Sequence, residues 1–138
     1  MTSQKMHAEE VETDVSLVRR LLAGQFPQWA GLPVRPVRSA GTDNAIYRLG
    51  DDLAVRLPRI GWAVEDVSKD YHWLSWLAPR LPLPVPLPLA LGVPGEGYPF
   101  PWAVYRWLPG EEANMETVRD PRELARDLAG FVTALRAI

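Results

Sequence analysis

The chain has 138 residues, 47% hydrophobic and 23% charged, with a net charge of −2 and no cysteine. That balance excludes a disordered chain, and the lack of a basic block argues against a nucleic-acid partner. Missing cysteine removes disulfides and thiolate chemistry, and His7 and His72 stand too far apart to suggest a metal site. No apolar run approaches the roughly 18 residues of a spanning helix. The polar, acidic start MTSQKMHAEEVETD is unlike a signal peptide, so a cytoplasmic protein with no membrane partner is expected. The length suits one domain, or one lobe of a larger one.

In chain order, residues 1–12 read as a flexible tail. Thr13 or Asp14 can cap a helix over 15–23, with Leu17, Val18, Leu21 and Leu22 as its apolar stripe and Gly24 as its stop. Residues 34–59 then read as three strands and two turns. Strands are expected over 34–38, 45–49 and 53–57, with Ala40-Gly41-Thr42-Asp43-Asn44 and Gly50-Asp51-Asp52 as the reversals and Pro58 ending the pairing. Period-two alternation puts Leu53, Val55 and Leu57 on one face of the last strand and Ala54 and Arg56 on the other. An arginine so placed, opposite a polar turn, has the layout of a cation presented to an anion. Taken alone, it reads more readily as a half-exposed strand arginine in a surface ion pair.

A second helix is expected over 65–78. Val67, Tyr71, Leu74, Leu77 and Ala78 form its stripe, Trp73 and Trp76 widen it, and Asp70 lies on or beside the buried side. Glu65 and Asp66 suit the positive end of that helix. Residues 79–88 carry five prolines. They read as an extended connector into a strand in preference to a polyproline ligand, since the intervening residues are leucine and valine. Strands over 87–93 and 102–108 follow, joined by a hairpin turn at Pro94-Gly95-Glu96-Gly97. A short helical turn is expected around 115–118. Asp120-Pro121-Arg122-Glu123 then opens a helix with the stripe Leu124, Leu128, Phe131, Val132 and Leu135. No stop signal closes that helix before Ile138, so it looks like an opening element whose partners are missing. Trp73, Trp76, Trp102 and Trp107 are read as core packing.

The order strand-turn-strand-strand-helix-strand-strand-linker-helix resembles the small lobe of protein-kinase-like enzymes. The local wording resembles the aminoglycoside phosphotransferase and choline kinase family. The matching pieces are Ser39-Ala40-Gly41-Thr42-Asp43-Asn44, Ala54-Val55-Arg56-Leu57-Pro58, Trp73-Leu74 through Leu83-Pro84-Val85-Pro86, and Tyr105-Arg106-Trp107-Leu108-Pro109-Gly110-Glu111. Each piece alone is weak, and the ordered set is fairly specific. The resemblance implies an α+β fold: a five-stranded antiparallel sheet with an inserted helix, preceded by one helix and followed by a linker and a long C-terminal helix. It divides the chain into a tail (1–12), a nucleotide-binding N-lobe (13–110), and a linker with the first helix of an incomplete C-lobe (111–138).

The resemblance further implies that Gly41, Thr42, Asp43 and Asn44 lie over ATP phosphates and that Arg56 holds phosphate where kinases use lysine. Asp70 would pair with Arg56, and the Arg106 carbonyl and Leu108 N–H would read the adenine edge. For 41–44 an ordinary hairpin turn is the competing reading, and for Asp70 a solvated helix carboxylate. Glu111-Glu112 reads as solvated linker, with an approach to a cationic aminoglycoside as the remoter alternative. Family members transfer the γ-phosphoryl group of ATP to a small-molecule hydroxyl, using a His-Gly-Asp…Asn loop and a later metal-binding Asp. The sequence contains neither motif. ATP is therefore the expected cofactor, with Mg²⁺ expected only with the missing C-lobe. The 138 residues alone are expected to show no kinase activity. The alternative is a non-catalytic, truncated lobe acting through self-association or a partner chain.

Overall fold

A computed structural model describes residues 10–38, 43–109 and 116–138. Its centre is a five-stranded antiparallel sheet with strand order β1-β2-β3-β5-β4. The strands are β1 (Val34–Pro36), β2 (Asn44–Leu49), β3 (Leu53–Pro58), β4 (Pro88–Gly92) and β5 (Trp102–Arg106). One helix covers each face. α1 (Val15–Gln25) precedes the sheet and α2 (Val64–Leu77) is inserted between β3 and β4.

Alternation along the strands builds two separate apolar layers. Leu49, Val55, Leu57, Trp102 and Val104 pack with Leu17, Val18, Leu21 and Leu22 of α1 into the main core. Leu53 joins it at the edge, so β3 presents Leu53, Val55 and Leu57 to one side, as expected. On the opposite side Val67 and Leu74 of α2 meet Ala103 and Tyr105 of β5 in a much smaller cluster. The thin second layer leaves room for a cleft between α2 and the sheet.

The Asp14 carboxylate accepts a hydrogen bond from the Leu17 N–H at 2.7 Å, so Asp14 is the cap of α1. Removing it in Asp14→Ala is expected to lower unfolding stability by about 1 kcal/mol, read from urea melts. Gly24 does not end this helix. It continues to Gln25, whose side chain exchanges two 2.8 Å hydrogen bonds with the backbone of Val93, while Phe26 packs edge-on against Trp102 at 5.3 Å. These distant contacts hold the two extra residues that local sequence would have left out of the helix.

Strand boundaries shift by one to two residues from those expected. β1 ends at Pro36 and β5 ends at Arg106, while β3 keeps Pro58 paired with Asn44. The turn between β4 and β5 closes through reciprocal hydrogen bonds between Gly95 and Tyr98, with Glu96 (φ 54°) and Gly97 (φ 80°) both left-handed. That conformation matches the twist of the flanking strands, and Gly97 supplies it without strain. Residues 116–117 form a turn and not a helix; Met115 lies outside the described residues.

The largest departure concerns α2. Trp73 is 60% exposed and Trp76 42% exposed. At 3.6 residues per turn, Trp76 falls about half a turn away from Val67, the residue that touches the sheet. The helix meets the sheet along a narrow strip, and the tryptophans lie on the sides turned away from it and do not widen it. Trp102 alone of the four tryptophans is fully buried, and Trp107 is half-buried. α3 (Pro121–Arg136) is capped by Asp120, whose carboxylate accepts from the Arg122 N–H at 3.0 Å. Its stripe residues Leu128, Val132 and Leu135 are exposed. Among the described residues no helix is long and apolar enough to cross a membrane.

Candidate nucleotide cleft

The thin side of the sheet carries a cleft of about 550 Å³. β2 contributes Asn44 and Ile46, preceded by Asp43; β3 contributes Ala54 and Arg56. Asp70 and Leu74 come from α2, and Tyr105 with the 106–108 strip closes the far side. Register explains the grouping. Ile46 pairs with Arg56, Arg56 with Ala103, and Ala54 with Tyr105, so alternate residues of three strands converge on one face.

Arg56 is the hub. Its Nε donates to Asn44 Oδ1 at 3.1 Å, and Nη1 donates to Asp70 Oδ2 in a short ion pair and to the Tyr105 hydroxyl at 3.4 Å. The Tyr105 hydroxyl in turn donates to Asp70 Oδ2 at 3.3 Å. Among the described residues, Nη2 of Arg56 has no hydrogen-bond partner. A guanidinium anchored through Nε and Nη1 keeps its planar orientation, and the remaining N–H donors stay available to an anion.

Burial pushes the Tyr105 phenol up to about 12, with the Asp70 carboxylate adding to the rise and Arg56 opposing it. Burial likewise raises Tyr98, whose hydroxyl donates to the Pro58 carbonyl on the other face. A phenol held above its ordinary value near 10 keeps its proton more tightly in the folded than in the unfolded chain. Its contribution is complete below about pH 10 and is lost as pH rises through about 12. Stability is therefore expected to fall above pH 10. Tyr105→Phe keeps the ring but removes the hydroxyl. It should cost about 1 kcal/mol at neutral pH and make the alkaline fall shallower. Denaturant melts at pH 8 and pH 11 measure both effects.

At the rim, the Arg106 N–H donates to the Leu87 carbonyl at 2.8 Å and the Trp107 N–H to the Asp52 carbonyl at 2.7 Å. The Leu108 N–H has no backbone acceptor among the described residues, and Leu108 lines the cleft edge. Asp43, Asn44, Arg56, Asp70, Arg106 and Leu108 thus border a single cavity. Gly41 and Thr42, expected beside them, lie outside the described residues. Glu111 and Glu112 do as well. The sequence places Tyr105 in the strip 105–108 expected to read the adenine edge, but gives no sign that its hydroxyl meets Arg56 and Asp70, nor that Ile46, Ala54 and Pro86 line the cleft. Alternation places Tyr105 on the face of Ala103 but does not reveal that this face is Arg56's; only the β3–β5 register does.

The sequence profile of the phosphotransferase enzyme family (APH) matches residues 34–138. The chain belongs to that family. No curated protein sequence matches it. Similar solved structures include the GDP complex of wild-type aminoglycoside 2'-phosphotransferase-IIIa, at 22% identity and TM-score 0.78, covering 89% of this chain and 42% of that one. The GDP and kanamycin complex of APH(2")-IIia is also similar, at 21% identity and TM-score 0.75, covering 86% and 41%. The streptomycin-ATP-APH(2")-IIa ternary complex follows at 17% identity and TM-score 0.65, covering 93% and 41%. At such identities the likeness shows the fold, an α+β sheet-and-helix arrangement of kinase-like aminoglycoside phosphotransferases. The chain spans about two fifths of the length of these solved relatives.

Proposed function

We propose that the chain is the nucleotide-binding half of an ATP-dependent small-molecule phosphotransferase. The observation that carries this reading is the Arg56 guanidinium, anchored through Nε and Nη1 with no Nη2 partner among the described residues, at the polar end of an otherwise apolar cleft. The cleft fits a nucleoside triphosphate on chemical grounds. Ile46, Ala54, Leu74 and Pro86 offer apolar surface to a base, the Leu108 N–H and the Arg106 carbonyl offer an edge, and Arg56 offers charge to phosphate. Asp70 and Tyr105 would orient Arg56, and the 41–44 turn would cover the phosphates. Bound ATP would supply the phosphoryl group for transfer to a hydroxyl; this chain's residues would hold and orient the nucleotide.

The proposed division runs as a tail (1–12), the nucleotide-binding lobe (13–110), and a linker with the first helix of a second lobe (111–138). Among the described residues no cluster of three His, Cys, Asp or Glu side chains could hold a metal. The general base and Mg²⁺ ligands are proposed to come from polypeptide outside these 138 residues. The acceptor is proposed to be a small molecule bearing a hydroxyl, of the kind seen as kanamycin and streptomycin in the structural relatives.

The test is a pair of measurements on the 138-residue chain, namely ATP binding and phosphotransfer with ATP, Mg²⁺ and kanamycin. Binding without turnover is expected. Turnover that Arg56→Ala abolished would show that the chain carries its own catalytic residues.

A second reading is favoured by α3, where Leu128 is 51% and Val132 48% exposed along one helix. In this reading the chain acts without catalysis, by associating through that stripe with a second copy or a partner chain. Concentration-dependent size in solution that is indifferent to ATP, with no ATP bound, would select it over the first.

A further inference from the structure

Arg48 lies on β2 two residues from Ile46, on the cleft side of the sheet. Its guanidinium carbon sits 4.7 Å from the centroid of the Trp107 ring, and its Nη2 donates to the Asp51 carbonyl at 2.7 Å. The Arg48 Nε is buried with no hydrogen-bond partner among the described residues. Trp107 is the middle residue of the 106–108 strip that closes the cleft. It lies one residue beyond the end of β5, and its N–H is held by the Asp52 carbonyl at 2.7 Å. The turn between β2 and β3 is therefore tied to this strip twice, once through backbone and once through Arg48.

We infer that Arg48 is a positioning residue for base recognition. It clamps the Trp107 ring against the 50–52 turn and so fixes where the Arg106 carbonyl and the Leu108 N–H stand. The inference rests on the nucleotide reading above. A strip beyond its last ladder pair is free to peel from the sheet, and a ligand that reads its backbone must then order it on binding. Stacking a half-buried guanidinium on an indole face supplies that order in advance. An unsatisfied Nε–H is a cost, which the stack and the Asp51 hydrogen bond offset. Phosphate plays no part in this arrangement, because Arg56 sits on the neighbouring strand with partners of its own.

The molecule contains its own control. Arg80 stacks on Trp76 at 4.0 Å in the same manner, on the outer side of α2 away from the cleft. The experiment is an NMR titration of the 138-residue chain with adenosine and, separately, with inorganic tripolyphosphate. Arg48→Ala is expected to weaken adenosine by about three- to tenfold and to leave tripolyphosphate unchanged. It should also shift the Trp107 indole N–H resonance, assigned with Trp107→Phe, and Arg48→Lys should recover most of the adenosine affinity. Arg80→Ala should change neither ligand. If Arg48→Ala lowers the stability of the fold, Arg48→Met, which keeps the packing of the stem, carries the same expectation. Unchanged adenosine affinity, or equal losses for both ligands in a folded variant, would overturn the inference. An unmodified chain that bound tripolyphosphate but not adenosine would overturn it too. One that bound neither would overturn the nucleotide reading itself.

Discussion

Arg56→Ala is expected to reduce ATP affinity by about tenfold to a hundredfold while leaving the fold in place. A hydrogen bond to a charged group contributes about 1.5–3 kcal/mol, and each 1.4 kcal/mol is a factor of ten. The same substitution strips Asp70 of its ion-pair partner and Asn44 of a donor. The Asp70 side chain is about one-third exposed, so water can resolvate it, and the stability loss should stay near 1–2 kcal/mol. Asp70→Asn separates the two effects. It keeps Arg56 charged but loosens its anchor, so its effect on ATP should be smaller, about three- to tenfold. Calorimetric titration of both variants, beside their thermal melts, checks the order. Equal ATP affinity in all three proteins would remove Arg56 from the site.

Among the described glycines, Gly92→Ala is expected to damage the fold most. A Cβ on Gly92 would fall within the indole of Trp102, which is completely buried and packs edge-on against Phe26. The ring cannot swing outward without losing its Nε1–H hydrogen bond to the Val93 carbonyl at 3.0 Å. β4 would instead have to separate from β5, because Gly92 pairs directly with Trp102. Overpacking of this kind costs about 1–3 kcal/mol where neighbours can yield. Here they are ring atoms locked between helix and sheet, so a loss of at least about 3 kcal/mol is expected. Urea melts of Gly92→Ala against Gly24→Ala check it. Gly24 has open space around it, and an alanine there should be neutral or mildly stabilising.

Much of this architecture is legible in the residues. Period-two alternation in 53–57 separates the core-facing leucines from Arg56, and that separation holds because β3 is central, paired with β2 and β5, and buries one face in the main core. The Asp120-Pro121 start of α3 is likewise a local signal with a local cause. Features set by distant contacts were not legible. α1 outruns Gly24 because Gln25 and Phe26 are held by β4 and β5. Trp73 and Trp76 look like core residues by type, yet α2 touches a sheet whose facing residues leave space for a cleft. Hydrophobicity alone cannot tell the packed side of a helix from a neighbouring aromatic one. In the cleft, strand alternation singled out Arg56, the family resemblance implied Asp70 as its partner, and the structure brings their side chains together. Tyr105 joins them through strand register, and register is a property of pairs of segments.

The central claim is that the cleft beside Arg56 receives a nucleotide. The most direct measurement is a backbone amide NMR titration of the 138-residue chain with a non-hydrolysable ATP analogue. Saturable shifts concentrated at Ile46, Ala54, Arg56, Tyr105 and Leu108, and lost in Arg56→Ala, are the predicted result. Shifts absent at saturating analogue, or confined to α3, would contradict it.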